Sequence, residues 1–590
     1  MTRGRLAGWP GGAALVLLCL AAHWPGSFAL PPVDRDESRF AQASWQMLES
    51  ARAGEPEGMV VPQVQERARL NKPPMVYWLQ AASAAAGGDD GSLGARSPAT
   101  GGVGWYRVPS LLSAMAATLL TWRVGLALRL APAAAWLGAA LLGTCLMVLW
   151  DARQARADQL LLATTTGSML QLAHLWRRRD EPVRATRWRA LGLHVWIGLG
   201  VLAKGPVAPM VAVLAAAALC VARRDARLLR HARPLTGVVV ATLIVAPWVV
   251  AVGQAVGWGT YWSIVWDETV GRAGAAKESH WGPPGYHLVL LAIVFFPGSL
   301  ATARGFVAAW RRCLPRRAGS GWWGAVRSAG GVWRGRDAEP FLIAWIVPAW
   351  IVFELMATKL PHYTLPLYPA VALLSARWLL RLEARRAGVD RPGGIVFLLI
   401  GAAMMVGVPL GLWWTGGDRG VADLALVAAL MVGMGASGIW LWRGRWVAAQ
   451  AAAMVVSVAS LAAMSGTLLP GHRSLWVSSR VAAILEREDP AGERPIAAVG
   501  YQEDSLIFLT RGRAERVGRK RLAAWLADHP GGLVAATAPV EAAALGLRVI
   551  DGVEGLNYSN GERVEVVVYE RRGRPGPGEG PGSTRGGRGL

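Results

Sequence analysis

Lysine is nearly missing from this chain: of 62 basic side chains only five are lysine, at Lys72, Lys204, Lys277, Lys359 and Lys520. Cysteine is scarce too. Cys19, Cys145, Cys220 and Cys313 form no CxxC pair and show no metal-ligand spacing, which argues against a disulfide framework or a thiolate metal site. Acidic residues, 39 in number, leave a net charge of +23, a balance often met in nucleic-acid binders. The arginines, however, are spread over short loops and are not gathered into one arm with interleaved aromatics, so nucleic acid is not a partner. No Gly-rich phosphate cradle sits between a strand and a helix, as a soluble nucleotide-binding domain would need. No internal repeat is visible.

What is abundant is apolar sequence. A hydrophobic content of 53% in 590 residues indicates a polytopic α-helical membrane protein rather than several soluble domains. Runs near spanning length fall at 8–30, 105–127, 132–150, 157–175, 189–203, 206–222, 235–253, 286–306, 340–357, 363–381, 394–414, 421–442 and 446–469, an expectation of about 13 transmembrane helices. The opening run resembles a signal peptide, but the later spans favour an uncleaved first helix. Most of the 30 tryptophans are read as interface-belt residues.

One segment decides the orientation. Residues 73–87 are short against the about 20 residues that a span requires, and they carry Gln80. With that segment in the interface and the N-terminus inside, the arginine-rich loops 177–189, 223–233, 311–317, 381–391 and 443–445 all fall on the cytoplasmic side, as the orientation bias demands. Residues 31–104 then form an exoplasmic loop with amphipathic helices on the membrane surface. The segments 153–158, 204–206, 267–284 and 359–363 share that side. Residues 1–470 are read as the transmembrane domain and 471–571 as a small exoplasmic α/β domain. Its expected elements are a helix at 478–488, strands at 496–499 and 505–509, a helix at 520–529, a strand at 533–536 and VEVVVYE near the end. The Gly-, Pro- and Arg-rich residues 572–590 are read as a disordered tail.

Four of the five lysines fall in the exoplasmic segments, whereas an arginine-biased composition alone would scatter them through all loops. A compact ammonium suits binding of phosphate oxygens as a point charge. The stretch Asp36-Glu37-Ser38-Arg39 suits a helix start, where acids are favoured. It also offers a carboxylate that Arg39, one turn on, could hold ionised. Asn71-Lys72-Pro73-Pro74 fits a helix start as well. Arg153 and Arg156 are read equally as interfacial snorkelling or as functional cations, while Asp158 gains nothing from snorkelling and is a site candidate. Lys359-Leu360-Pro361-His362-Tyr363 offers a cation, an imidazole and a phenol in five residues. His280 is read as interfacial rather than as a metal ligand.

These residues resemble the polyprenyl-phosphate-dependent membrane glycosyltransferases of the GT-C class, in particular the bacterial branch containing the lipid A aminoarabinose transferase and relatives of the protein mannosyltransferases. The resemblance rests on DESRFAQASWQML (36–48), NKPPMVYWL (71–79), ARQARAD (152–158) with KGP (204–206), and KLPHYTLPLYP (359–369). It implies that Asp36 is the carboxylate at the catalytic centre with Arg39 beside it, that Lys72, Arg272 and Tyr363 surround the lipid phosphate, and that Asp158 and Lys204 line the cavity. Asp158 is carried as a second catalytic candidate, and Tyr77, Lys359 and His362 as further substrate-binding candidates. Relatives often have a metal-associated acidic residue where Asn71 stands, and a histidine shortly before the position of Arg272, where this chain has Asp267-Glu268-Thr269. No metal ligand or cofactor is therefore assigned, a divalent metal being left open, and aminoarabinose is not assigned as the sugar.

The function so implied is transfer of a sugar from a polyprenyl-phosphate donor to an exoplasmic acceptor (lipid A, another envelope glycan or a protein), with inversion at C1, in the inner (plasma) membrane. Membrane lipids are the other partners. The rival is a transporter or lipid flippase, whose charges would be expected at the midplane of paired broken helices. The orientation is checked by a new thiol at Ser92: it should react with an impermeant reagent from outside the cell, and labelling from the cytoplasm alone would reverse the parity.

Overall fold

The computed structural model describes residues 3–90, 99–271, 282–313, 338–387, 391–414, 420–537 and 540–571. Every one of the thirteen apolar runs is helical within these residues. Five helices are long and apolar enough to cross a membrane: Val103–Ala127, Arg227–Val256, Ala338–Leu355, Asp423–Trp442 and Trp446–Gly471. The other runs form shorter, broken or more charged helices among the described residues. Residues 132–150 divide into Pro132–Gly143 and Leu146–Asp151, and residues 286–306 into Tyr286–Val294 and Ser299–Cys313.

The two breaks meet. Leu146 N donates to Phe296 O at 3.0 Å, Ser457 Oγ to Thr144 O at 3.0 Å, and Gln450 Nε2 to Pro297 O at 2.9 Å. Free backbone groups in an apolar surrounding are costly, and irregular chain is tolerated there only where protein supplies the missing partners. The buried Ser457 and Gln450 do that here.

The chain divides into two compact units. The first holds described residues 3–90 and 102–472, the second 99–101 and 473–571. In the first, the 31–104 segment folds into helices Asp36–Ala53, Pro56–Val60 and Met75–Ala86 with a two-stranded ribbon, β1 (Gln63–Val64) antiparallel to β2 (Arg67–Ala68). Phe40, Ala43, Met47, Val76 and Tyr77 pack with Ala157, Leu160 and Ala203. That one apolar cluster seats the helix beginning at Asp36 beside the helices Asp158–Arg177 and Arg187–Lys204. Elsewhere glycines let helices close up: a Cβ on Gly125 would stand 2.9 Å from Ala135 Cα.

The second unit is a five-stranded sheet of order β4-β3-β5-β7-β6, where β3 is Ile496–Val499, β4 Ala514–Arg516, β5 Leu533–Thr537, β6 Leu547–Asn557 and β7 Glu562–Arg571. The first three strands run parallel, and β7 and β6 are antiparallel to their neighbours. Residues 505–509, expected as a strand, are the helix Asp504–Leu509, buried at every position. A short apolar run has the same pattern in a buried helix as in a buried strand, and Asp504 favours a helix start. β6 escaped notice because its irregular burial and the bulge between Val549 and Asp551 spoil the alternation. The tail expected from Arg572 lies outside the described residues.

Gly125→Val should overpack the helix contact and destabilise by about 1–3 kcal/mol. Gly407 has open space around its Cβ position, so Gly407→Ala should instead be neutral or stabilising by about 0.5–1 kcal/mol. Thermal melts of the detergent-purified variants give both signs.

Candidate functional site

Arginine 35 precedes the site in a left-handed conformation, φ 65°, which for a non-glycine residue costs on the order of 1–3 kcal/mol. The helix begins at the next residue, Asp36, and the strained turn is held by Glu37. Glu37 Oε2 accepts Val33 N at 2.8 Å, and both carboxylate oxygens accept the Arg107 guanidinium, Nε and Nη2 each at 2.8 Å. Arg107 also donates to Ser27 O, Leu30 O and Pro31 O at 2.7–3.0 Å. Both side chains are fully buried, and their charges and donors are answered.

Asp36, by contrast, is 53% exposed. Its carboxylate lies 3.7 Å from Arg69 and 3.6 Å from Arg156. Burial of its surroundings would push the carboxyl up, but Arg156, Arg69 and Lys72 outweigh that and hold it below the usual carboxylate range. It is ionised at neutral pH and open to a ligand. Arg69 also lies over the Phe40 ring at 4.9 Å, and Tyr77 is buried with its ring 5.3 Å from Phe40.

Arg156 is the centre of the cluster. Besides Asp36 it lies 3.5 Å from Asp151 and 3.6 Å from Asp158, and 3.5 Å from the His362 ring. Asp158, buried, is ion-paired to Lys204 and is 3.6 Å from His362. Burial drives His362 down to about 3 against the pull of Asp158, so the ring is neutral. Gln159 donates to Asp151 at 3.0 Å. The snorkelling reading of Arg153 and Arg156 is overturned: Arg153 is fully buried and donates to Ala22 O, Pro25 O and Leu149 O at 2.6–3.0 Å. It ties the last carbonyls of two helices, which have no partner of their own.

The structure therefore brings Asp36, Asp158, Lys204 and His362 together, with Tyr363 stacked edge-on to His362 at 5.3 Å. Lys72 stands near Asp36 and is paired with Glu268 at 3.4 Å. Arg39 is half-buried on the Asp36 helix, and Arg69 and Arg156 stand beside the Asp36 carboxylate. Lys359 donates to Gly282 O at 2.9 Å and Met356 O at 3.0 Å, so its ammonium holds backbone. Arg272 and His280 lie outside the described residues. The described residues hold no group of three or more metal-ligating side chains.

Sequence reasoning passed over Arg69, Asp151, Arg107 and Glu268. Arg107 carried a signal, an ionisable residue inside the predicted span 105–127. Asp151 carried a weaker one, following directly on a run that ends at Trp150. Nothing local marks Glu268 as the partner of Lys72, 196 residues away.

A family model described as dolichyl-phosphate-mannose-protein mannosyltransferase matches residues 71–250. The undecaprenyl phosphate-alpha-4-amino-4-deoxy-L-arabinose arabinosyl transferase of Edwardsiella ictaluri is 27% identical over 444 residues, 74% of this chain and 71% of that protein. Its counterpart from Pectobacterium atrosepticum is 27% identical over 62% of this chain, which spans 57% of that relative's length. Among solved structures, ArnT from Cupriavidus metallidurans bound to undecaprenyl phosphate matches with TM-score 0.67 at 18% identity, covering 94% of this chain and 96% of that one. The oligosaccharyltransferase AglB from Archaeoglobus fulgidus, in complex with an inhibitory peptide and a dolichol-phosphate, matches with TM-score 0.51 at 9% identity, covering 89% and 69%. At these identities the structures speak for the fold, a multi-pass membrane architecture.

Replacing the centre of the cluster should damage the fold, because Arg156→Met strands buried carboxylates at a cost of about 3–5 kcal/mol. Asp36→Asn, at a half-exposed position, should change stability by no more than about 0.5 kcal/mol. Melting temperatures of the two purified variants separate the roles; equal losses would contradict the arrangement.

Proposed function

We propose that this chain, which resembles the polyprenyl-phosphate-dependent glycosyltransferases of the GT-C class, is a membrane enzyme that transfers a sugar from a polyprenyl phosphate to an acceptor outside the cytoplasm, with inversion at C1. The observation that carries the reading is the Asp36 carboxylate: exposed, held ionised, and bordered by Arg69, Arg156 and Lys72. Asp36 takes the proton of an acceptor hydroxyl as its oxygen attacks C1 from the face opposite the phosphate. The bond from C1 to the phosphate oxygen breaks, and the polyprenyl phosphate leaves with the electron pair. Fixed cations stabilise the charge that develops on it, and a lysine ammonium serves as a point charge in a narrow cleft. Lys72 takes that part once its ammonium leaves Glu268, with Arg69 behind it.

Of the two catalytic candidates, Asp158 is given the supporting part. With Lys204, Arg156 and His362 around it and only 5% of its side chain exposed, it anchors the cations beside Asp36. Tyr77 packs against Phe40 behind Asp36, Tyr363 packs against His362, and Lys359 fixes the loop that carries His362. The acceptor is lipid A, another envelope glycan or a protein, and the site faces the periplasmic or extracellular side of the inner membrane. Nucleotide sugars are made in the cytoplasm, so a donor for that side brings its own anchor.

Reconstituted protein should transfer sugar from a polyprenyl-phosphate donor and not from a nucleotide sugar. Asp36→Asn should lower kcat by about 100- to 10,000-fold while leaving lipid binding intact. Lys72→Met should weaken polyprenyl-phosphate binding by about ten- to a hundredfold, as expected for a lost charge-assisted contact. Turnover with a nucleotide sugar and no polyprenyl carrier would refute the donor assignment.

A further inference from the structure

The buried Glu37–Arg107 pair lies one residue away from both members of the pair that defines the site. Glu37 follows Asp36 in the chain. Glu37 Oε1 also accepts the backbone N–H of Ala155 at 2.8 Å, and Ala155 precedes Arg156. The same carboxylate thus holds the chain neighbours of Asp36 and of Arg156, two residues from segments 120 positions apart whose side chains stand 3.6 Å from each other. Its own position is fixed by Arg107, which in turn is pinned by the carbonyls of Ser27, Leu30 and Pro31.

We propose that Glu37, locked by Arg107, is a positioning residue that sets the separation of Asp36 from Arg156 and thereby the reactivity of the Asp36 carboxylate. The proposal rests on the functional reading of Asp36 as the base. Four acceptor contacts converge on the Glu37 carboxylate: Val33 N, Ala155 N and two guanidinium nitrogens. An amide in its place can accept at one oxygen only, so Glu37→Gln sets a donor against either Val33 N and Arg107 Nη2 or Ala155 N and Arg107 Nε, and in both cases the guanidinium and the chain it holds must move. The local chain must then shift to relieve donor against donor. Displacements of about 1 Å in a catalytic constellation cost on the order of a hundredfold in rate.

A residue that only stabilised the fold would lower the amount of active protein and nothing else. A positioning residue changes the base itself. The groups facing Asp36 are Arg69, Arg156, Lys72 and His362. Arg156 answers to Asp151 and Asp158 as well, so a slip of Ala155 draws it toward those carboxylates. Asp36 would then lose its leading counter-charge and bind a proton more readily. Since the base acts deprotonated, the acid limb of the kcat profile moves to higher pH.

The experiment compares Glu37→Gln and Arg107→Lys with the unaltered protein, each normalised to folded molecules by size-exclusion and thermal melt. The expected result is a fall in kcat of about 10- to 100-fold, a KM for the polyprenyl-phosphate donor within about twofold, and the acid limb displaced upward. Hydrogen exchange of the Ala155 amide should also accelerate in both variants. Unchanged kcat and an unmoved acid limb per folded molecule would overturn the proposal, as would a loss confined to donor KM. Should the unaltered protein transfer nothing from a polyprenyl donor, the functional reading fails by itself. Exchange at Ala155 then judges the clamp, and protection equal to that of the unaltered protein overturns it. If Glu37→Gln does not fold, Arg107→Lys decides alone, since it keeps the charge and loses the two-pronged geometry.

Discussion

Charge buried next to apolar helices has to be neutralised within a few ångströms, and the first unit of this protein is built around two solutions of that constraint. Glu37 and Arg107 form a closed one, in which every face of the guanidinium and both carboxylate oxygens are used. Arg156 forms an open one, a cation shared among Asp36, Asp151 and Asp158, to which Arg69 and Lys204 add at Asp36 and Asp158. Removing one member of such a buried set costs about 3–5 kcal/mol because the others remain in low dielectric without a partner. The Glu37–Arg107 pair and the three carboxylates around Arg156 come from three separate stretches of chain, 36–37, 107 and 151–158, so the ion pairs decide how those stretches meet.

The two solutions divide the labour. In the closed pair no lone pair or donor is left for a ligand, and its effect is on geometry. The open set has three carboxylates on one guanidinium, one of them half exposed. Burial and the neighbouring Asp158 push Asp151 upward, whereas Asp36 is pulled down by the cations at its side. Two carboxyls on the same arginine thus have environments that drive them apart, the usual way in which a fold assigns different parts to like groups. Asp36 faces outward because the helix starts there, directly after a strained residue that turns the chain.

The irregular backbone at 144–146 and 295–298 obeys the same logic in neutral form. Each break exposes peptide groups, and the breaks face each other and two polar side chains, which makes an unbroken helix unnecessary at that depth. The second unit has no such problem, being a sheet covered by helices, and its core of Ala497, Val499, Trp525, Val534 and Ala536 is an ordinary apolar one.

The sequence by itself determined the helical class, the positions of the thirteen long apolar runs, among which the helix Trp258–Trp266 does not figure, and the segments that hold the polar residues. Those depend on local hydropathy and on helix-start chemistry, which are properties of neighbours in the chain. It also drew attention to Asp36, Lys72, Asp158, Lys204 and His362, because a lysine or an acid among apolar runs is conspicuous without any partner. Only the tertiary structure decided the pairings: Lys72 with Glu268, Asp36 with Arg69 and Arg156, and Lys359 with two carbonyls rather than with the cluster. A charge can be seen in one dimension. Its counter-charge is chosen by packing in three, across separations such as the 196 residues between Lys72 and Glu268, and no local pattern encodes that choice. The same holds for helix 504–509 and for the broken runs at 132–150 and 286–306, where burial on all sides and hydrogen bonds from distant residues overruled the reading of a short apolar string.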